Sequence, residues 1–80
     1  MNAQTQADVW LDCKYLICPQ PILKTAQAIK TIAVGQTLLV ETTDPASKYD
    51  LPAWARRTGH ELLEMDEDAF VYRFLIRRAK

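Results

Sequence analysis

Two prolines flanking one glutamine, directly after a cysteine, constrain this chain more than any other stretch: Cys18-Pro19-Gln20-Pro21. Proline lacks an amide hydrogen, so a helix tolerates it in the first turn and is broken by it further in. Downstream, Ile22, Ala26, Ile29 and Ala33 recur at helical spacing with Leu23 beside them. Lys24, Gln27, Lys30 and Thr31 fall on the opposite side, so the spacing predicts an amphipathic helix over about 19–32. Pro19 is then the first helical residue and Cys18 the N-cap. A thiol there faces the positive end of the helix macrodipole, which favours thiolate. With Pro21 third, the Gln20 amide is the one usual capping donor left for the sulfur. Cysteine is not a favoured N-cap for stability, so its presence points to chemistry.

The rest of the chain falls into short elements around that helix. Val9-Trp10-Leu11 forms a first strand closed by Asp12, and 13–17 is a loop delivering the chain to Cys18. Gly35 and Gln36 turn the chain out of the helix into a strand over 37–43, which Asp44-Pro45 stops. A second helix is expected over 51–58, with Asp50 as N-cap, Pro52 in the first turn and Gly59 ending it. Its inner face is Leu51, Trp54, Ala55 and Thr58, and both Trp10 and Trp54 are expected in the core. Strands over 61–65 and 69–77 follow as a hairpin joined through Asp66-Glu67-Asp68, with Phe70, Tyr72, Phe74 and Ile76 facing the core. The order β-α-β-α-β-β implies an α+β fold with both helices on one face of a small sheet and the other face partly wet. Residues 1–7 are expected as a flexible tail and 8–80 as a single domain.

Composition excludes several function classes. Ten basic residues balance ten acidic ones, so no global field draws the chain to nucleic acid or membrane. The basic C-terminal residues (Arg73, Arg77, Arg78, Lys80) and acidic residues 61–68 are expected as a solvated strand edge and an exposed turn. Residues 1–7 have neither the basic start nor the apolar run of a secretory signal, and no stretch is long enough to span a bilayer. The expected compartment is the cytoplasm, where thiols stay reduced. Two cysteines make no disulfide scaffold, and with one histidine they make no zinc site; no metal or cofactor is called for.

Leu11-Asp12, then Leu16-x-Cys18-Pro19-x-Pro21 and Lys24, resembles the opening of the TusA/SirA-like sulfur-carrier family. Gly35-x-x-Leu38-x-Val40, Asp44-Pro45, Asp50-Leu51-Pro52-x-Trp54 and Thr58-Gly59-His60 continue the pattern, so the likeness runs from Val9 to Arg77. The resemblance implies a two-layer sandwich of a mixed four-stranded sheet and two helices. It also implies a covalent carrier rather than a stand-alone turnover enzyme, with sulfur held as a persulfide on Cys18. The implied donor is a cysteine desulfurase or rhodanese-like protein, and the sulfur goes on to an acceptor protein. The destinations known for the family are tRNA thiolation, molybdenum-cofactor work and sulfur oxidation. One departure is Tyr15, which stands where the family usually has glycine. If that position takes a positive φ, Tyr15 carries strain or reshapes the loop.

Cys18 is thus the candidate reactive residue. Its partner-binding rim is Pro19, Gln20, Pro21 and Lys24, the last a docking contact or simply solvated. No neighbour in sequence is an obvious general base. Cys13 is expected to pack at the end of the first strand; the sharper alternative is a resolving thiol that closes a disulfide with Cys18. Asp44 and Asp50 are expected as turn and cap residues rather than a catalytic pair, and His60 as a helix-end residue. The chain is expected to act as a monomer with no direct contact to nucleic acid. Two rival classes are a protein-interaction or regulatory module without sulfur chemistry, and an RNA-binding domain resting on fold analogy alone, which the balanced charge disfavours.

Overall fold

The structure, a computed structural model, describes residues 7–80. The elements run β1 (Val9–Cys13), α1 (Gln20–Ile29), β2 (Thr37–Thr42), α2 (Ser47–Thr58), β3 (Glu61–Asp68) and β4 (Val71–Arg77). They build the expected two-layer α+β sandwich. Sheet order is β1-β2-β4-β3, with β1 parallel to β2 and the other two pairings antiparallel. A parallel pair needs a crossover, and α1 supplies it.

Side-chain alternation decides which face is covered. Leu38, Val40 and Thr42 lie opposite Ile76, Phe74 and Tyr72 across the β2–β4 ladder. With Cys13 they meet Ile29, Ile32, Leu51, Trp54 and Ala55 of the helical layer in one core. The other sheet face has a small apolar cluster of Leu39 and Leu75 against half-buried Ala7. Beside it lies Glu41, only 3 % exposed. Its carboxylate meets Arg73 Nε at 2.7 Å and Lys14 Nζ at 3.1 Å. Burying a carboxylate is tolerable only when cations and hydrogen bonds meet it there.

Several local expectations are corrected. Helix α1 ends at Ile29, so Ile32 reaches the core from beyond the helix and Ala33 is exposed. Its buried stripe is Pro21, Thr25 and Ile29, rotated slightly from the one drawn through Ile22 and Ala26, which are half-buried. Trp10 is 58 % exposed on the sheet face opposite the helices, because strand alternation places Leu11 and Cys13 inward instead. Helix α2 begins at Ser47, four residues before Leu51. Asp44 caps the turn leading into it, accepting from Ala46 N–H at 3.1 Å, so Asp50 lies in the first turn and Pro52 inside the helix.

The acidic triad is also not the hairpin turn. Strand β3 runs through Asp68, and the chain reverses at Ala69 and Phe70, both with positive φ (49° and 71°). Asp66 lies opposite Arg73 in the ladder, and this ion pair spans 3.6 Å. Phe70 is therefore at the turn, 82 % exposed, while Tyr72, Phe74 and Ile76 face the core as expected. Of the expected flexible tail, residues 1–6 lie outside the described residues.

Candidate functional site

Strands β1 and β2 run parallel, so the loops after them emerge side by side, the edge where open sheets commonly place ligands and chemistry. The β1–α1 loop is pinned to the β2–α2 loop at two points. Tyr15 N–H donates to Thr43 Oγ1 at 2.9 Å, and Cys18 N–H donates to Asp44 Oδ2 at 2.8 Å. Tyr15 holds φ at +70°, the left-handed region that costs a non-glycine residue about 1–2 kcal/mol. The Tyr15–Thr43 bond offsets part of that strain, and the side chain projects into solvent, 85 % exposed. Ile17, 72 % exposed, stands immediately before Cys18.

Cys18 is a free, exposed thiol. It is not the N-cap of α1: Pro19 takes that position after a cis Cys18–Pro19 peptide bond, and makes no side-chain cap. Nor does the Gln20 amide serve the sulfur, since it donates to Ile17 carbonyl oxygen at 2.8 Å. Pro19 and Pro21 have no amide to offer. The three residues after Cys18 thus present no backbone donor to it, and the expected capping bond from the Gln20 amide is absent.

Two carboxylates take the place of those donors. The Cys18 thiol donates to Asp50 Oδ2 at 3.4 Å, within sulfur hydrogen-bond range. This bond raises the thiol above its ordinary pKa; desolvation and the charges of Asp50 and Asp44 push the same way. In sequence, Asp44 and Asp50 have the look of turn and cap residues. Asp44 does cap, through Oδ1, but its second oxygen holds the Cys18 backbone. Asp50 caps nothing and faces the sulfur. Neither carboxylate is in an ion pair among the described residues.

The remaining candidates separate. Pro19, Gln20 and Lys24 are exposed near the start of α1, whereas Pro21 is buried against the core and is withdrawn from the surface rim. Cys13 is fully buried at the end of β1, and burial pushes its thiol up. A disulfide to Cys18 would require pulling that sulfur out of the core. His60 follows the C-cap Gly59, packs 5.5 Å from Trp54 ring to ring, and accepts from Ala79 N–H at 3.1 Å. A cavity of about 340 Å³ opens beside it, between the C-terminal ends of the helices, with Ala26, Ile29, Trp54 and Arg78 in its wall. Cys18 lines neither this cavity nor the smaller ones of about 220 and 180 Å³. The residue is exposed to solvent. No group of three metal-ligating side chains occurs among the described residues, and no helix among them is long and apolar enough to cross a membrane.

Fold and site together define a small α+β sandwich presenting one free cysteine at a proline-marked turn. The family described as Sulfurtransferase TusA matches residues 10–78. YrkI of Bacillus subtilis is 40 % identical over 73 residues, covering 91 % of this chain and 97 % of its own length. The sulfur carrier protein TusA of Pseudomonas putida is 38 % identical, covering 89 % of each chain. YrkF, also of Bacillus subtilis, is 40 % identical as well, but this chain spans only 40 % of its length. The crystal structure of a SirA-like protein from Desulfitobacterium hafniense superposes with a TM-score of 0.78. That superposition covers 90 % of this chain and 99 % of the other at 20 % identity, a likeness of fold. The chain belongs to the TusA family.

Proposed function

We propose that this protein is a sulfur carrier in which Cys18 receives sulfane sulfur as a persulfide from one protein and delivers it to another. The observation carrying this reading is the free, exposed Cys18 at the Cys-Pro-Gln-Pro turn of a chain whose relative is named a sulfur carrier. Loading needs no cofactor. The Cys18 thiolate attacks the outer sulfur of the donor persulfide, a new S–S bond forms, and the donor cysteine leaves as thiolate. The proposed donor is a cysteine desulfurase or a rhodanese-like protein. The acceptor is a protein thiol in tRNA thiolation, molybdenum-cofactor synthesis or sulfur oxidation. Exposed Pro19, Gln20 and Lys24, with the side chains of Tyr15 and Ile17, form the proposed contact surface around the sulfur.

Incubation with a cysteine desulfurase and ³⁵S-cysteine tests the assignment. Wild type is expected to take up reductant-labile label and Cys18→Ser none. Equal labelling of the two, or none in wild type, would overturn it in favour of a protein-interaction module that keeps the fold without the chemistry.

A further inference from the structure

We propose that Asp50, backed by Asp44, is a latch on Cys18: it holds the free side chain as a thiol and, after loading, holds the outer persulfide sulfur as S–H. The first half rests on geometry alone and the second on the carrier reading above. The thiol donates to Asp50 Oδ2 at 3.4 Å, and the same residue's backbone N–H donates to Asp44 Oδ2 at 2.8 Å. Two carboxylates from one loop and the helix after it thus converge on one cysteine.

No ion pair among the described residues offsets their charge. Lys48, on the same helix as Asp50, is turned toward Glu67 at 3.9 Å and lies 5.6 Å from the Tyr72 ring centroid. Lys24 of α1 acts on Cys13, while the charges acting on Cys18 are those of Asp50 and Asp44. The Gln20 amide is already bonded to Ile17 carbonyl oxygen, and Pro19 and Pro21 have none to offer. Among the described residues, the side-chain charges acting on this sulfur therefore oppose an anion there.

The consequence for transfer is directional. A thiolate is the nucleophile in sulfur exchange, so a latched Cys18 reacts slowly with whatever it meets in solution. In the loaded state the same carboxylates disfavour a negative outer sulfur, and a neutral S–SH accepts attack more readily than an anion repelling the incoming thiolate. Delivery then balances. The acceptor thiol ionises and its thiolate bonds to the outer sulfur. The Cys18 S–S bond breaks, and Cys18 leaves with the electron pair and takes up one proton. The proton lost by the acceptor equals the one gained by Cys18, with no net oxidation. Because Cys18 returns to its latched thiol, it is poorly placed to take the sulfur back. Asp50 thus holds the emptied carrier in its protonated form.

The first arm of the test needs no sulfur chemistry. Alkylation of the intact protein by iodoacetamide is followed across pH, with the adduct placed by peptide mapping. Asp50→Asn is expected to move the Cys18 profile to lower pH and speed alkylation at pH 7 by about three- to tenfold. Asp44→Asn should act in the same direction by less, and Asp50→Glu should keep the wild-type profile. An Asp50→Asn profile coincident with wild type, or moved to higher pH, overturns the latch, with circular dichroism confirming the fold. In the second arm the protein is loaded with inorganic polysulfide, and alkylation of the loaded form by iodoacetamide is followed across pH by intact mass. A loaded Asp50→Asn profile moved to lower pH than wild type supports the loaded-state half, and a coincident or higher one overturns it. Wild type that accepts no sulfur would sink the carrier reading and that second half, while the alkylation profiles would still decide the first.

Discussion

His60 shows how one side chain can report on a whole end of the molecule. Burial lowers its pKa from 6.5, and the nearby charges of Arg78 and Lys80 lower it further. Its Nδ1 accepts from Ala79 N–H, a bond that requires this nitrogen to be unprotonated. The sign follows directly: the neutral ring is favoured in the folded state. Its contribution to stability is present above the unfolded pKa and is lost as pH falls through the depressed folded value. As the chain's one histidine, it gives a single imidazole spin system in proton NMR. The titration midpoint is expected below 6.5, and His60→Ala is expected to flatten part of the stability loss in mild acid. A midpoint at or above 6.5 would contradict the packing described. Cys18 carries the complementary lesson. Its exposure beside a proline-marked helix start was legible because those signals are contiguous in sequence. Its protonation was not, because its carboxylate neighbours lie 26 and 32 positions away and look in sequence like an ordinary turn and cap.

At the scale of elements, periodicity located the strands and helices, while turn chemistry misled wherever the decisive contact was remote. Acidic residues are depleted in strands, so Asp66-Glu67-Asp68 looked like a turn. They extend β3 instead because Arg73 on β4 and Lys48 on α2 pair with two of them. The turn that remains, Ala69-Phe70, has no glycine or asparagine to announce it, yet both residues take positive φ as in a type I′ hairpin. The same mismatch between residue type and φ predicts a gain. Ala69→Asn with Phe70→Gly should stabilise the protein by about 1 kcal/mol, because both positions then favour the left-handed conformation. Phe70 is exposed, so no core contact is lost with it. Urea unfolding checks this, and a midpoint that falls would mean the Phe70 side chain contributes more than its backbone costs. Helix α2 starts earlier than its sequence suggests for a related reason. Proline marks a first turn so often that Pro52 concealed the turn already made by 47–51.

For the molecule as a whole, the question is which sheet face supplies the stability that holds the two functional loops together. The mixed sheet with helices on one side followed from element order and from the family resemblance, and it stands. What could not be read locally was the sidedness of individual aromatics, since strand alternation fixes a residue's face only once the register is known. Phe74 sits fully buried on β4, a central strand, whereas Trp10 stands half out of β1 at the sheet edge, with Lys14 Nζ 5.3 Å from its ring centroid. A domain of this size has about 4–12 kcal/mol of total stability. Phe74→Ala removes a core side chain and should cost about 3–5 kcal/mol, a large share of that total. Trp10→Ala deletes a mostly exposed ring and one cation–π contact, and should cost about 1 kcal/mol or less. Thermal unfolding of the pair separates the faces: the Phe74 variant should melt at least about 12 °C lower and the Trp10 variant within a few degrees of wild type. Equal losses would mean that both faces of the sheet share the load. In that case the loops carrying Cys18 and Asp50 would depend on the outer face as much as on the core beneath the helices.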